Sequence, residues 1–276
     1  MALTRRAQLS LRTLALGYLF ALGYLALLLL VPIGVVLYRT FEPGVGAVID
    51  SITTPAAVSA FWLTIEITAI AVPLNTIFGI VAALLLVRSR VRGKRLLEAL
   101  IDLPFAISPV VIGLSLFLLY GRTGWLGPTL SDAGIQVIFS VPGMVLATIF
   151  VCLPFVVREV TPVLREIGDE QEQAAATLGA GRWQTFWRIT LPAIRWGVAY
   201  GVVLSTARAI GEFGAVSIVS GKIAGETITL PLLVENRFSN FDLAGAYAAS
   251  ALMALIALAT LFAMTLLQRK GGGGSR

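Results

Sequence analysis

The stretch QAAATLGAGRWQTFWRITLP, residues 173–192, lies between two strongly apolar segments and has the composition of a soluble helix pair. Asp169 and Glu172 precede it with the Asp-x-x-Glu spacing of a near capping box, which marks a helix start. Gly179 falls where a glycine in the left-handed conformation would end that helix. Pro192 falls in the first turn of the next apolar segment, where proline is tolerated. The stretch therefore predicts two short helices joined by a tight turn.

Each of these two predicted helices has one face suited to contact. Small or apolar residues give the first helix a low-relief face, formed by Ala174, Ala175 and Leu178. On the second helix, the i, i+3, i+4 spacing gives an apolar face, formed by Trp183, Phe186 and Trp187. Two interpretations follow from the residues alone. The pair is an amphipathic hairpin lying at a membrane interface, or it is a rigid projection that docks on a partner and passes motion into the next segment.

The composition of the whole chain is that of a membrane protein. Of its 276 residues, 57% are hydrophobic and 13% are charged, against about 25% charged in an average soluble domain. We expect one integral domain over residues 1–270, followed by a glycine-rich end, 271–276, that resembles an added flexible linker. The sequence has no histidine, and its only cysteine, Cys152, lies in an apolar run and is predicted to be a buried structural thiol.

Six segments are long and apolar enough to cross a bilayer, which takes about 20 residues. The predicted spans are residues 14–37, 61–87, 100–120, 137–157, 196–220 and 243–267. Arginine and lysine alternate between the loops: the second and fourth loops hold five each, and the first and third hold one each. By the positive-inside rule both termini are cytoplasmic, and residues 173–192 lie on the same side. The net charge of +6 therefore reflects membrane topology, and we expect no nucleic-acid binding.

The sequence offers no catalytic constellation and no energy source of its own. The Gly-Lys pairs at Gly93 and Gly221 lack the earlier glycine and the following serine or threonine of a phosphate-binding loop. Neither a Gly-x-Ser-x-Gly elbow nor a His-Glu-x-x-His zinc motif occurs. The chain is therefore not expected to be an enzyme. It moves solute passively or by ion coupling, or it relies on a separate subunit for energy.

The spacing within residues 173–192 resembles the signature cytoplasmic loop of ATP-binding-cassette (ABC) importer permeases, written Glu-Ala-Ala, three residues, Gly, nine residues, Ile-x-Leu-Pro. Gln173 stands where the family has glutamate, and the neighbouring Glu172 points about 100° away on a helix. A charge contact made by that glutamate in relatives is therefore not expected here. The resemblance implies a set of ATPase-coupling residues: Gln173, Ala174, Ala175, Leu178, Gly179, Ile189, Leu191 and Pro192.

Three further stretches narrow the resemblance to the sulfate-type permeases of this family. They are LPFAISPVV at 103–111, LPFVVRE at 153–159 and ARAIGEFGAV at 207–216. Residues 220–232 look more like the CysW-type sulfate/thiosulfate permeases than their CysT-type sisters. The resemblance implies the six-span fold of type I ABC importers, set in membrane lipid. It also implies a CysT-type permease partner, an extracytoplasmic sulfate-binding protein, and two ATPase subunits that hold the ATP and Mg²⁺, with no cofactor on this chain.

Arg208 and Glu212 are charges inside the fifth predicted span, where each costs about 2.5–3.5 kcal/mol at the bilayer centre. Their i, i+4 spacing places them on one helical face, so they can pair. The pair either clamps a bend at Gly211 and Gly214, or Arg208 attracts a passing anion while Glu212 limits how tightly it binds. The residues predicted for the path or gate are Arg208, Gly211, Glu212 and Phe213.

The sequence leaves alternatives for Glu66, for the connection 222–243, for the transported anion and for the class of protein. Glu66, near the outer end of the second predicted span, is a weaker path candidate or snorkels toward water. The connection 222–243 is expected to meet the binding protein, or it is a solvated loop. The transported anion could also be molybdate or tungstate, which are tetrahedral dianions too. An ion-coupled secondary anion transporter would need intramembrane carboxylates and inverted repeats, and a membrane scaffold would leave the Arg208–Glu212 pair without a path role.

Overall fold

The computed structural model describes residues 11–89 and 92–271, and within them all regular secondary structure is helical. The expectation for the linker at 271–276 lies outside the described residues, apart from Gly271. The helices are α1 Leu11–Phe41, α2 Val45–Ile52, α3 Pro55–Arg88, α4 Lys94–Ala106, α5 Pro109–Tyr120, α6 Gly127–Asp132, α7 Val141–Glu166, α8 Glu170–Thr177, α9 Arg182–Thr185, a π-helical turn Phe186–Thr190, α10 Leu191–Ile210, α11 Val216–Val219, α12 Leu230–Ser239 and α13 Leu243–Gly271.

Four of the described helices are long and apolar enough to cross a membrane on their own. These stretches are Gly17–Phe41, Pro55–Arg88, Val141–Glu166 and Leu243–Leu266. They correspond to the first, second, fourth and sixth predicted spans. The fourth was placed too early: α7 begins at Val141, and it continues past residue 157 to Glu166. Residues 158–166 of α7 include charged side chains. A prediction based on apolar composition therefore ends the span before them.

The third predicted span, 100–120, is not one helix. Its two halves, α4 and α5, meet at an angle of 109° and form either a broken span or a re-entrant loop. Pro109 lacks a backbone N–H and disfavours helical geometry in the residue before it. Ser108, the residue before the proline, is correspondingly not helical, with ψ of 136°, and Ile107 before it is extended. The proline therefore ends one helix and begins the next, instead of producing a kink within a span.

The fifth predicted span, 196–220, is also interrupted. Helix α10 begins at Leu191 and ends at Ile210, and after an irregular segment the chain forms only the short helix α11. The two interruptions pack on each other. A Cβ added to Gly214 would lie 3.0 Å from the Cβ of Pro109, so glycine permits this close approach. The break after α10 therefore sits against the break between α4 and α5.

One part of the core forms where α3, α7 and α10 pack together. A Cβ added to Gly79 of α3 would lie 2.6 Å from the Cβ of Val156 in α7. A Cβ added to Gly201 of α10 would lie 2.9 Å from the Cα of the same Val156. Apolar burial gives little driving force within lipid, so close packing at small residues of this kind stabilises membrane helices. Cys152 is fully buried in this region, as predicted.

The predicted polar connection 222–243 is not a simple loop. It contains α12, whose first turn is buried from Leu230 to Leu233. Arg237 of α12 is also buried, and its guanidinium donates hydrogen bonds to Ser51 Oγ, Thr54 Oγ1 and the Gly245 carbonyl. The segment therefore joins the α2–α3 turn to the start of α13. The side chains of Ile223, Phe238 and Phe241 remain exposed.

Candidate coupling loop and transport path

The stretch 173–192 forms the two helices and the tight turn that its sequence predicts. Helix α8 ends at Thr177, and Gly179 adopts a left-handed conformation with φ of 85°. The N–H of Ala180 donates to the carbonyl of Ala175, and that of Gly179 donates to the carbonyl of Ala176, both at 3.0 Å. These bonds close the helix with a Schellman-type end, for which glycine is suited because it has no Cβ.

The exposed face of α8 differs in one residue from the face predicted. Leu178 is 89% exposed, and Gln173 and Ala174 are exposed beside it. Ala175 is buried, because it faces the rest of the chain. The outward face therefore includes Gln173, Ala174 and Leu178, while Ala175 serves the internal packing of the loop.

The aromatic residues of the second helix gather as their spacing predicts. The rings of Trp183, Phe186 and Trp187 lie 5.4–6.1 Å apart, centroid to centroid. Trp183 and Trp187 are exposed, and Phe186 is half-buried. The cluster presents two indole rings to the surroundings beside the exposed face of α8.

The second half of the loop continues into α10 without a break. Helix α9 leads into the π-helical turn Phe186–Thr190, and α10 starts at the next residue. Ile189 lies in the π-turn, and Leu191 and Pro192 open α10. The predicted coupling residues therefore stand at one end of a helical rod. The predicted path residues stand at its other end, about 30 Å away at 1.5 Å per residue over the 20 residues of α10.

The acidic residues around the start of α8 do not form the expected capping box. Asp169 occupies the N-cap position, but its side chain makes no capping hydrogen bond. Glu172 instead turns inward, where it accepts hydrogen bonds from Arg88 Nε at 3.0 Å and from Thr190 Oγ1 at 2.9 Å. The sequence did not predict this contact. Arg88 entered the sequence analysis only as one of the five basic residues of the second loop, whose positive charge indicates the cytoplasmic side.

Arg208 and Glu212, the charges of the fifth predicted span, pair as their spacing allows. Arg208 Nη1 lies 2.5 Å from Glu212 Oε2, although the angles are not those of an aligned hydrogen bond. The other carboxylate oxygen accepts a hydrogen bond of 2.8 Å from the N–H of Ala215. Glu212 therefore braces the irregular segment that follows α10.

The two members of this pair differ sharply in accessibility. The Glu212 side chain is 1% exposed, whereas that of Arg208 is 31% exposed. The space beside Glu212 is a void of about 10 Å³ that also touches Thr64 and Thr229, which is at most the volume of one water molecule. A sulfate-sized anion cannot reach Glu212 there. Gly211 and Phe213 are exposed next to Arg208, and Glu66 lies on an exposed face of α3.

The chain matches proteins of one transport class along most of its length. A family model described as "Binding-protein-dependent transport system inner membrane component" matches residues 75–271. The chain is 52% identical over 252 residues to the sulfate transport system permease protein CysW of Synechocystis sp., with 91% of each chain covered. It is 39% identical over 255 residues to the sulfate transport system permease protein CysT of Synechococcus elongatus, with 92% of each covered.

The fold is also found among solved structures. The crystal structure of a bacterial alginate ABC transporter in complex with alginate pentasaccharide-bound periplasmic protein contains a chain that matches with a TM-score of 0.78 at 20% identity. The match covers 93% of this chain and 94% of that one. The family match and the sequence identities, together with the fold, define a multi-pass permease subunit of the ABC transporter class. The chain belongs to the family of binding-protein-dependent transport system inner membrane components, and its resemblance to the CysW-type permeases is confirmed.

Proposed function

We propose that the chain is one of two permease subunits of an ATP-driven importer for sulfate and thiosulfate. The observation that carries this proposal is the 52% identity to a CysW protein across 91% of the chain. The 39% identity to a CysT protein supports a homologous permease of that type as its partner. ATP and Mg²⁺ would be held by two ATPase subunits, since no phosphate-binding loop occurs in this sequence.

The proposed topology has six spans with both termini cytoplasmic. Four helices are long and apolar enough by themselves, and the bent α4–α5 pair would supply a fifth crossing if it is a broken span. The remaining crossing, the fifth in chain order, would be formed by α10 with α11. The charge of Arg208 is paired within the chain, which lowers its cost in the membrane. Arg195 lies in the second turn of α10, near the end proposed to be cytoplasmic. The alternation of basic loops supports this orientation.

The proposed mechanism is alternating access driven through the coupling loop. The exposed residues Gln173, Ala174 and Leu178 would enter a groove of an ATPase subunit, with Gly179 fixing the turn behind them. When ATP closes the two ATPase subunits, the loop moves, and the continuous rod from α9 through α10 carries that motion to residues 211–215. Ile189, Leu191 and Pro192 lie within this rod and would transmit the displacement.

The gate is proposed at the end of α10, with a divided role for its charges. Glu212 is enclosed and holds Ala215, so it acts as the clamp. Arg208 is partly exposed beside Gly211 and Phe213, so it would face the path and attract a dianion. A weak attraction suits transport, because a tightly bound anion would not be released. The extracytoplasmic binding protein would deliver the anion near the exposed side chains of 222–243.

The proposal is tested by purifying the chain from its natural membrane and reconstituting the complex in vesicles. We expect a second permease and an ATPase subunit to copurify, and we expect ATP-dependent sulfate uptake that thiosulfate inhibits. Stronger inhibition by molybdate or tungstate than by thiosulfate would identify a different oxyanion permease. Uptake driven by an ion gradient, with no ATPase bound, would identify a secondary transporter and reject the proposal. A complex with no uptake of any of these anions would leave only a scaffold role.

A further inference from the structure

We propose that Arg88 is a positioning residue that fixes the ATPase-facing helix α8 to the end of α3. Motion of the coupling loop would then reach α3 and α10 together. This inference rests on the proposed function, since it concerns how the loop transmits force. It adds a second route into the membrane, beside the continuous rod formed by α9 and α10.

Arg88 is well suited to join separate segments because its guanidinium reaches three of them. It is the last residue of α3. Its Nε donates to Glu172 Oε2 of α8 at 3.0 Å, and its Nη1 donates to the carbonyl of Leu164 in α7 at 3.2 Å. Its Nη2 also donates to the carbonyl of Gly168, in the turn between α7 and α8. A planar guanidinium can make several such bonds at once, which a lysine ammonium cannot do in the same geometry.

Glu172 extends this set of bonds to the start of the rod. Its Oε1 accepts a hydrogen bond of 2.9 Å from the hydroxyl of Thr190, the last residue of the π-turn, and Thr190 is buried. Arg88, Glu172 and Thr190 therefore form a continuous polar latch. This latch connects α3, α8 and the residue immediately before α10.

The surroundings of the latch indicate why a polar contact is needed there. An open cleft of about 680 Å³ lies between the end of α3 and the loop helices, lined by Leu84, Leu85, Ala176 and Phe186 and by the latch residues. The apolar side chains of α3 and the loop are therefore not closely packed at this point. Helix α8 has only eight residues, and such a short helix is not stable by itself. The latch holds it in place across this loosely packed region.

The latch is more sheltered than a second ion pair near the same end of α7. The side chains of Arg88 and Glu172 are 20% and 21% exposed, whereas those of Arg165 and Glu98 are 60% and 43% exposed. Both pairs have nearly equal separations, 3.0 Å and 3.1 Å. Exposed pairs contribute little because water and salt screen them. Arg165→Gln is therefore a matched control that removes the same charge from a pair we expect to be unimportant.

The latch also explains how the chain uses its acidic residues at the coupling loop. Gln173 replaces the glutamate of the family pattern, and Glu172 stands next to it. Because Glu172 is committed to Arg88 and Thr190, its charge is not available on the exposed face of α8. The charge at 172 acts inside the permease, and position 173 itself presents no carboxylate to the ATPase.

The test uses the complete complex in vesicles, with sulfate as the transported anion. Four forms are compared with the unchanged complex: Arg88→Gln, Glu172→Gln, the double variant, and Arg165→Gln. For each, the maximal uptake rate, the KM for sulfate, the ATPase rate and the ratio of sulfate moved to ATP hydrolysed are measured. Assembly is checked by size-exclusion chromatography before any rate is compared.

We expect Arg88→Gln to lower the sulfate-to-ATP ratio about tenfold, while the KM for sulfate stays the same because the path is untouched. Glu172→Gln should have a similar but smaller effect. The double variant should be no worse than Arg88→Gln alone, because residues acting through one contact are non-additive. Arg165→Gln should change the ratio less than twofold. A latch that only stabilised the fold would lower assembly without changing the ratio.

The proposal is overturned if Glu172→Gln leaves the ratio unchanged, if the two single effects add, or if Arg165→Gln has an equal effect. If Arg88→Gln fails to assemble, Glu172→Gln decides alone, since it leaves the bonds of Arg88 to Leu164 and Gly168 in place. Failure of the proposed function has a different signature: the unchanged complex itself would show no ATP-dependent sulfate uptake.

Discussion

Gly113 of α5 packs directly on the backbone of Ala215: a Cβ added to Gly113 would lie 2.5 Å from the carbonyl oxygen of Ala215. The same Cβ would lie 2.9 Å from the Cβ of Ile218 in α11. The start of α5 is therefore held against the interrupted end of the fifth segment. Since Glu212 binds the N–H of Ala215, the proposed gate is supported from two sides.

The close approach at Gly113 predicts that Gly113→Ala is harmful. The added methyl group forces a backbone shift, and overpacking of this kind costs about 1–3 kcal/mol. We expect a lower melting temperature for the purified complex and a reduced rate of sulfate uptake. Gly23→Ala is the control, because Gly23 lies in α1 with no neighbouring atom within 4 Å of the added Cβ. Equal effects of the two substitutions would contradict the packing argument.

The unequal exposure of Arg208 and Glu212 predicts that stability and transport can be separated. Arg208→Ala leaves the Glu212 carboxylate buried without its partner, which we expect to lower the free energy of unfolding by about 2 kcal/mol or more. Adding Glu212→Gln removes the uncompensated charge and should recover most of that stability. Sulfate uptake should stay low in both variants if Arg208 faces the path. Recovery of uptake in the double variant would show that the pair is only a clamp.

The uncharged side chain of Gln173 predicts the effect of restoring the family glutamate. Gln173 is exposed and lies away from the inward-facing Glu172, so Gln173→Glu should leave the latch intact. We expect ATPase-linked sulfate uptake to remain unchanged or to increase. The measurement is the ratio of sulfate moved to ATP hydrolysed in vesicles. A marked loss would mean that the contact between α8 and the ATPase has been assigned to the wrong residue.

The buried guanidinium of Arg237 predicts a strong stability effect at the opposite end of the helices from the coupling loop. Arg237 binds Ser51, Thr54 and Gly245, and removing it leaves those groups without their donor. Loss of a buried charged donor costs about 1–3 kcal/mol or more, so Arg237→Gln should lower the melting temperature. Lys222→Gln is the control, because its 3.5 Å pair with Glu235 is exposed and such pairs contribute about 0–1 kcal/mol. A smaller effect for Arg237→Gln than for Lys222→Gln would refute the assignment.

Local patterns in the sequence predicted those features that depend on neighbouring residues. The turn at Gly179 follows from glycine conformation, the aromatic cluster from helical spacing, and the pairing of Arg208 with Glu212 from one helical turn. Four of the spans follow from continuous apolar composition. All of these are set within a few residues along the chain.

Features that depend on distant segments were not predictable in the same way. The role of Arg88 arises from Glu172, which lies 84 positions further along the chain, and no periodicity connects the two. The break at Pro109 was visible as a proline, but a proline in a span can also produce a simple kink. Its outcome is fixed by the close approach of Gly214, which only the folded arrangement provides. Ala175 was likewise assigned to the wrong face because its neighbours were unknown.

The π-helical turn Phe186–Thr190 has a consequence for the rotational phase of the whole rod. A π-turn accommodates one extra residue within an otherwise α-helical run, and one residue corresponds to about 100° of rotation. Trp183, which precedes the turn, and Arg208, near the end of α10, are therefore offset by that rotation. Deleting a single residue within the turn would keep both helices intact and swing the Trp183 surface around the rod axis. The angular setting between the proposed ATPase-facing end and the proposed gate thus depends on the length of the chain at this one place.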